Sequence, residues 1–132
     1  MRGAIRSNVK WAAAVSAAAL ALLVAAPVGV GSAATKPKPV KVTVNDFYFA
    51  PTAVTVRKGG SVKWVWSQYN TYPHDVHLKK GPANLKNKGS YSTRTTAVTE
   101  ASFLKKFEAP GTYKYICTVH PDEMRMTVTV KR

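Results

Sequence analysis

Cysteine is almost missing from this sequence: Cys117 is the only one in 132 residues. No disulfide can close within one chain, so such an odd thiol is an intermolecular bridge, a free thiol or a ligand. Acidic side chains are also scarce, six against 20 lysines and arginines. The formal charge of +14 is a strong field for a small body and favours acidic proteins and anionic polymer or lipid surfaces as partners. The lysines are scattered in pairs such as Lys79-Lys80 and Lys105-Lys106, with no interleaved aromatics. Without a recognisable reader motif, nucleic acid is not expected among the partners. No internal repeat is present, and no stretch carries a convincing long-helix pattern.

Residues 1–10 carry Arg2, Arg6 and Lys10, residues 11–30 form an alanine- and leucine-rich apolar run, and Ser32-Ala33-Ala34 is an A-x-A-like site. These features describe a secretory signal peptide over residues 1–34, with cleavage expected after Ala34. The run is just long enough to span a bilayer, so an uncleaved anchor is the rival reading. Its alanine content and small-residue end favour cleavage. No cysteine sits just after the run, against a lipoprotein anchor, and no twin arginine precedes it, which suggests export of an unfolded chain. Cleavage would lower the formal charge from +14 to +11 by removing Arg2, Arg6 and Lys10. The product would begin at Thr35, with residues 35–39 as a proline-bearing extended linker. Residues 40–132 are then one domain able to bury a modest core, expected in the periplasm, or extracellular and associated with the cell envelope.

Val40, Val42 and Val44 alternate with Lys41 and Thr43, the period of a half-buried strand. Asn45-Asp46 breaks that strand, Phe47, Phe49, Val54 and Val56 flank Pro51, and Lys58-Gly59-Gly60 is a turn signal. Val62, Trp64 and Trp66 line one face of the next strand and read as core. In residues 74–78 alternation places His74, Val76 and Leu78 on one face, with Asp75 and His77 on the other. Residues 91–99 are β-prone, and residues 100–106 carry a weak helical-turn signal. Tyr113, Tyr115 and Cys117 share a face of a later strand, and Met126, Val128 and Val130 share a face of the last. About seven to eight short strands separated by turns predict an all-β antiparallel sandwich.

The chemistry concentrates near the C-terminus, where Cys117, His120 and Met124 fall in one short turn. A thiolate, an imidazole and a thioether form a soft donor set that selects copper over magnesium, calcium or manganese. His74, on the apolar face of its segment, is the candidate second imidazole. Structural zinc sites use four strong Cys and His ligands, and a thioether is a poor fourth. A catalytic metal needs an open position, which this set does not offer. A Cys-His nucleophile is the other chemical alternative, but a cysteine three residues before its histidine, near the end of a short chain, lacks the needed cleft. Singly, each residue reads as ordinary: a buried thiol, a loop histidine, a core methionine, a turn histidine. Together, with a lone cysteine in an oxidising compartment, they point to one shared copper ion.

The chain resembles the cupredoxins, the small blue copper proteins of the plastocyanin, amicyanin and pseudoazurin group. The matching residues are Phe49-x-Pro51, Gly60-x-Val62-x-Trp64, His74-x-Val76, Pro110-Gly111-Thr112-Tyr113-x-Tyr115-x-Cys117-x-x-His120-Pro121 and Met124, spanning about residues 40–130. The resemblance implies a Greek-key sandwich holding one Cu(I)/Cu(II) ion, with His74, Cys117 and His120 as equatorial ligands and Met124 as axial ligand. It also implies electron exit through the edge of His120, within an apolar patch that includes Pro73 and Pro121. Three positions depart from the family pattern. Asp75 stands where asparagine is usual, Met126 stands where glycine is common, and the spacing from His120 to Met124 is intermediate among members. Met126 sulfur and a Glu123 oxygen therefore stand as alternatives to Met124, while His77 reads as a surface residue.

These readings make the protein a non-enzymatic one-electron carrier, expected as a monomer that docks acidic redox partners near His120. A copper storage or delivery protein shares every ligand, and a metal-free adhesion or scaffold sandwich is the reading from another class.

Overall fold

The computed structural model describes residues 35–132, and the expected signal peptide lies outside them. Residues 35–39 are exposed and belong to no strand. Eight strands follow: β1 (Val40–Asn45), β2 (Tyr48–Ala50), β3 (Ala53–Arg57), β4 (Ser61–Trp66), β5 (His77–Lys80), β6 (Ser102–Lys106), β7 (Gly111–Ile116) and β8 (Arg125–Lys131). They form two four-stranded sheets, β2-β1-β4-β6 and β3-β8-β7-β5.

Alternation drives this arrangement. Val42 and Val44 of β1, Val62, Trp64 and Trp66 of β4, Tyr113 and Tyr115 of β7, and Met126, Val128 and Val130 of β8 are all buried. Each fully buried Val side chain is worth about 1.5–3 kcal/mol relative to exposure. The intervening lysines and threonines face water or lie half-buried, so a one-residue register slip would exchange the core for the surface. Gly59 at φ 84 and Gly60 close the β3–β4 turn, with the Gly60 N–H bonded to the Arg57 carbonyl at 2.8 Å. Gly111 opens β7 at φ 140, where a Cβ would meet Pro82 Cγ at 2.8 Å.

The β-sandwich expected from the sequence is present, with two parallel pairs among its antiparallel ones. β1 runs parallel to β4 and β3 parallel to β8. Residues 102–106 form strand β6 rather than the expected helical turn: Phe103 stacks on Trp64 at 5.5 Å while Leu104 faces solvent, a two-residue period set by packing. The β-prone stretch 91–99 stays out of both sheets. It follows a single 3-10 turn, Lys88–Tyr91, and makes one isolated bridge, His74 to Ala97. The Ser92 and Thr93 hydroxyls accept the N–H groups of Leu78 and Val76, so side chains replace a backbone ladder.

Strict alternation over residues 74–78 also gives way. Pairing in β5 begins only at His77, and His74, Asp75 and Val76 are consecutively buried. Outside a ladder nothing forces neighbouring side chains to opposite faces, so Asp75 turns inward beside its ligand-candidate neighbour. His77 is exposed, as expected.

Candidate metal centre

The site lies where β7 runs out. Cys117 continues the inward alternation of Tyr113 and Tyr115 one step past the strand and is fully buried. The turn that follows is closed at its base: the Cys117 N–H donates to the Met124 carbonyl at 3.1 Å, and the Met124 N–H to the His120 carbonyl at 2.9 Å. Outside it, Arg125 Nε donates to the Pro121 carbonyl at 2.9 Å and its guanidinium pairs with Asp122 at 2.7 Å. Cys117, His120 and Met124 are therefore held by the hydrogen bonds of one loop.

His74 arrives from across the sandwich. Its backbone exchanges two 2.9 Å hydrogen bonds with Ala97, and its carbonyl accepts the Trp66 indole N–H at 3.2 Å. The fully buried imidazole places Nδ1 at 3.8 Å from Cys117 Sγ. Its other nitrogen, Nε2, stands 2.8 Å from Asp46 Oδ1. The nitrogen and sulfur donors of His74, Cys117 and His120 all lie within 4.8 Å of one another. The two imidazole centroids are 5.0 Å apart.

His120 Nδ1 is buried and has no hydrogen-bond partner in the protein. An unpartnered buried polar atom costs about 1–3 kcal/mol. A metal ion shared with Cys117 and His74 would remove that cost, and the soft donor set suits copper. Met124 is fully buried beside these residues, its backbone bonded to both Cys117 and His120. Met126, the rival thioether, faces elsewhere: its sulfur accepts the Trp64 indole N–H at 3.1 Å in the core between the sheets. Glu123 is exposed.

Asp75 links the two halves of the site. Its N–H donates to Cys117 Sγ at 3.5 Å, and its carboxylate accepts the Thr118 N–H at 2.7 Å together with the Thr118 hydroxyl. These bonds tie the His74 segment to the cysteine loop. Asp46 was legible in sequence only as a strand breaker, because its contact with His74 spans 28 positions and no local pattern reports it.

Around His120 stands an aromatic rim. Phe47 and Tyr72 meet its ring edge-on at 5.0 and 6.0 Å, and both are about half exposed, at 44 and 50%. Pro73, Val119 and Pro121 are exposed on the same segments.

A model of the copper binding proteins of the plastocyanin/azurin family matches residues 38–131. The chain belongs to that family. This cupredoxin is 35% identical to amicyanin-alpha of Methylorubrum extorquens over 109 residues, 83% of this chain and 79% of that one. Amicyanin from Paracoccus versutus shares the fold at a TM-score of 0.56 and 27% identity, over 75% of this cupredoxin and 87% of its own chain. A copper-containing nitrite reductase from Thermus scotoductus matches at a TM-score of 0.60 and 26% identity, over 81% of this chain. This cupredoxin spans only 25% of that reductase. Copper is thus the metal of the family, and His74, Cys117 and His120 form a cluster able to hold one ion. Among the described residues no helix is long and apolar enough to cross a membrane.

Proposed function

We propose that this cupredoxin is an exported one-electron carrier whose copper is held by His74, Cys117 and His120, with Met124 as a weak fourth ligand. Copper bound by two imidazoles, a thiolate and a thioether supplies reversible Cu(I)/Cu(II) chemistry in a geometry that compromises between the two states. The observation that carries the reading is the convergence of three soft donors from two separate segments, with the buried His120 Nδ1 otherwise unpartnered. Loop and bridge hydrogen bonds hold these side chains, so little has to move when an electron arrives. A four-donor set leaves no open position for substrate, which favours a carrier over an enzyme.

His120 is only partly buried, and its aromatic rim offers an apolar contact surface for a redox partner. The surplus of basic residues favours an acidic one. Steering by that charge should fade with salt, so the association rate with an acidic redox partner should fall steeply between low and physiological ionic strength. A rate indifferent to salt would remove the electrostatic part of the docking. Export rests on the signal-like residues 1–34.

The decisive experiment is titration of metal-free protein, beginning at Thr35, with Cu(II) followed by ascorbate. An intense blue thiolate-to-copper band that bleaches on reduction and returns on oxidation supports the carrier. No visible band would move the storage and scaffold readings ahead.

Asp75 gives a prediction of direction. Asparagine can accept the Thr118 N–H and donate to its hydroxyl, so Asp75→Asn keeps the link to the cysteine loop and removes one buried negative charge. A unit charge about 4 Å away is worth about 1 kcal/mol in bulk water and about 4 kcal/mol at an effective dielectric constant of about 20, so the potential should rise by tens of millivolts or more. An equal or lower potential in protein-film voltammetry would count against a charge effect at this position.

A further inference from the structure

Asp46 lies in the turn between β1 and β2 and supplies no donor to the metal cluster. Its carboxylate is nevertheless gripped from two sides. Oδ1 stands 2.8 Å from His74 Nε2 and accepts the Tyr72 N–H at 3.3 Å. Oδ2 accepts the Thr71 N–H at 2.9 Å and its hydroxyl at 2.8 Å.

The next residue makes the turn unusual. Phe47 adopts φ 68, a left-handed conformation that costs an aromatic residue about 1–3 kcal/mol. Glycine or asparagine would reverse the chain there with less strain. Instead the Phe47 ring stands against His120 at 5.0 Å and Tyr72 at 5.2 Å. One strained turn thus touches both imidazoles of the site, Asp46 on His74 and Phe47 on His120.

A neutral imidazole carries one N–H, and a carboxylate at Nε2 places it there. Nδ1 is then left as a lone pair 3.8 Å from the Cys117 sulfur. A carboxylate behind a ligand imidazole also raises its basicity. Asp75 performs a different task, since its carboxylate bonds Thr118 rather than a ligand ring.

We propose that Asp46 is the positioning residue of the copper site: it fixes the tautomer and ring plane of His74 and adds a negative charge behind it that favours Cu(II) over Cu(I). The inference rests on the ligand set proposed above.

Two variants separate geometry from charge. Asp46→Asn retains an acceptor oxygen for His74 Nε2–H and the Tyr72 N–H, turns its amide nitrogen to the Thr71 hydroxyl, loses the charge, and gives up the Thr71 N–H bond, a loss the metal-free unfolding midpoint reads separately. It should keep the blue band while the ratio of Cu(II) to Cu(I) affinity falls about tenfold, a rise of about 59 mV for a one-electron couple. Asp46→Ala loses acceptor and charge together, so its band should shift and its Cu(II) affinity fall by about 10–100-fold. Potentials, spectra and metal-free unfolding midpoints are measured at one pH for the natural protein and both variants. A natural potential in Asp46→Asn together with a natural band in Asp46→Ala would reduce Asp46 to a brace for residues 71–72 and overturn the proposal. Should Asp46→Ala fail to fold, the potential of Asp46→Asn decides alone. Absence of a thiolate band in the natural protein would overturn the ligand set itself, and this proposal with it, before any variant is compared.

Discussion

Cys117→Ala is expected to lose the blue band completely while remaining folded. The intense colour of such a site requires a thiolate bound to Cu(II), and Cys117 is the only thiol in the chain. Two imidazoles and a thioether then remain, a set with no anionic donor to favour Cu(II). The fold should survive because the substitution removes one heavy atom from a buried side chain, which costs about 1 kcal/mol, small beside the 5–15 kcal/mol typical of a domain. Circular dichroism and thermal unfolding of the metal-free variant verify that point independently of copper. The Asp75 N–H loses its sulfur acceptor in the same variant, so a modest further loss of stability is expected. If an intense visible band persisted in Cys117→Ala, the metal would have to sit elsewhere in the protein, and the four-residue assignment would fail.

Trp64→Ala should produce the largest loss of stability of any single change considered. The indole is fully buried between the sheets, stacked on Phe103 at 5.5 Å and tilted against Tyr115 at 5.0 Å and Phe107 at 6.5 Å. Its N–H also donates to Met126 sulfur at 3.1 Å. Removing a buried tryptophan costs about 3–5 kcal/mol, a large fraction of a small domain's total. At about 4–8 °C per kcal/mol, the metal-free midpoint should drop by at least about 12 °C in scanning calorimetry. A drop of only a few degrees would mean that Trp64 is not central to the core. Met126→Leu is the control: it conserves volume but leaves the buried Trp64 indole N–H without its sulfur acceptor, so it should cost about 1–3 kcal/mol and leave the blue band unchanged. A band altered by Met126→Leu but not by Met124→Leu would reverse the choice between the two thioethers.

The chemistry was close to the surface of the sequence. Cys117, His120 and Met124 are neighbours along the chain, and a loop that short gathers its side chains whatever sandwich carries it. Strands β1, β4, β7 and β8 were legible for a related reason: their valines, tryptophans and tyrosines recur every second residue, and burial on one face demands that period. The pattern failed where packing overrides local preference. β6 reads as a weak helix, yet Phe103 pairs with Trp64 and draws the segment into a sheet. Residues 91–99 read as strand, yet serine and threonine hydroxyls satisfy the neighbouring backbone and no ladder forms.

The sequence by itself determined the donor types, the spacing of three candidate ligands, the alternating strands and the basic charge, because all of these are local or additive properties. Only the tertiary structure decided that Asp75 turns inward, that Met126 sulfur belongs to Trp64, and that Asp46 stands behind His74. Each of those is a contact between segments distant along the chain. Their partners are chosen by how two sheets pack and where a turn is forced to bend, which no single stretch of residues encodes.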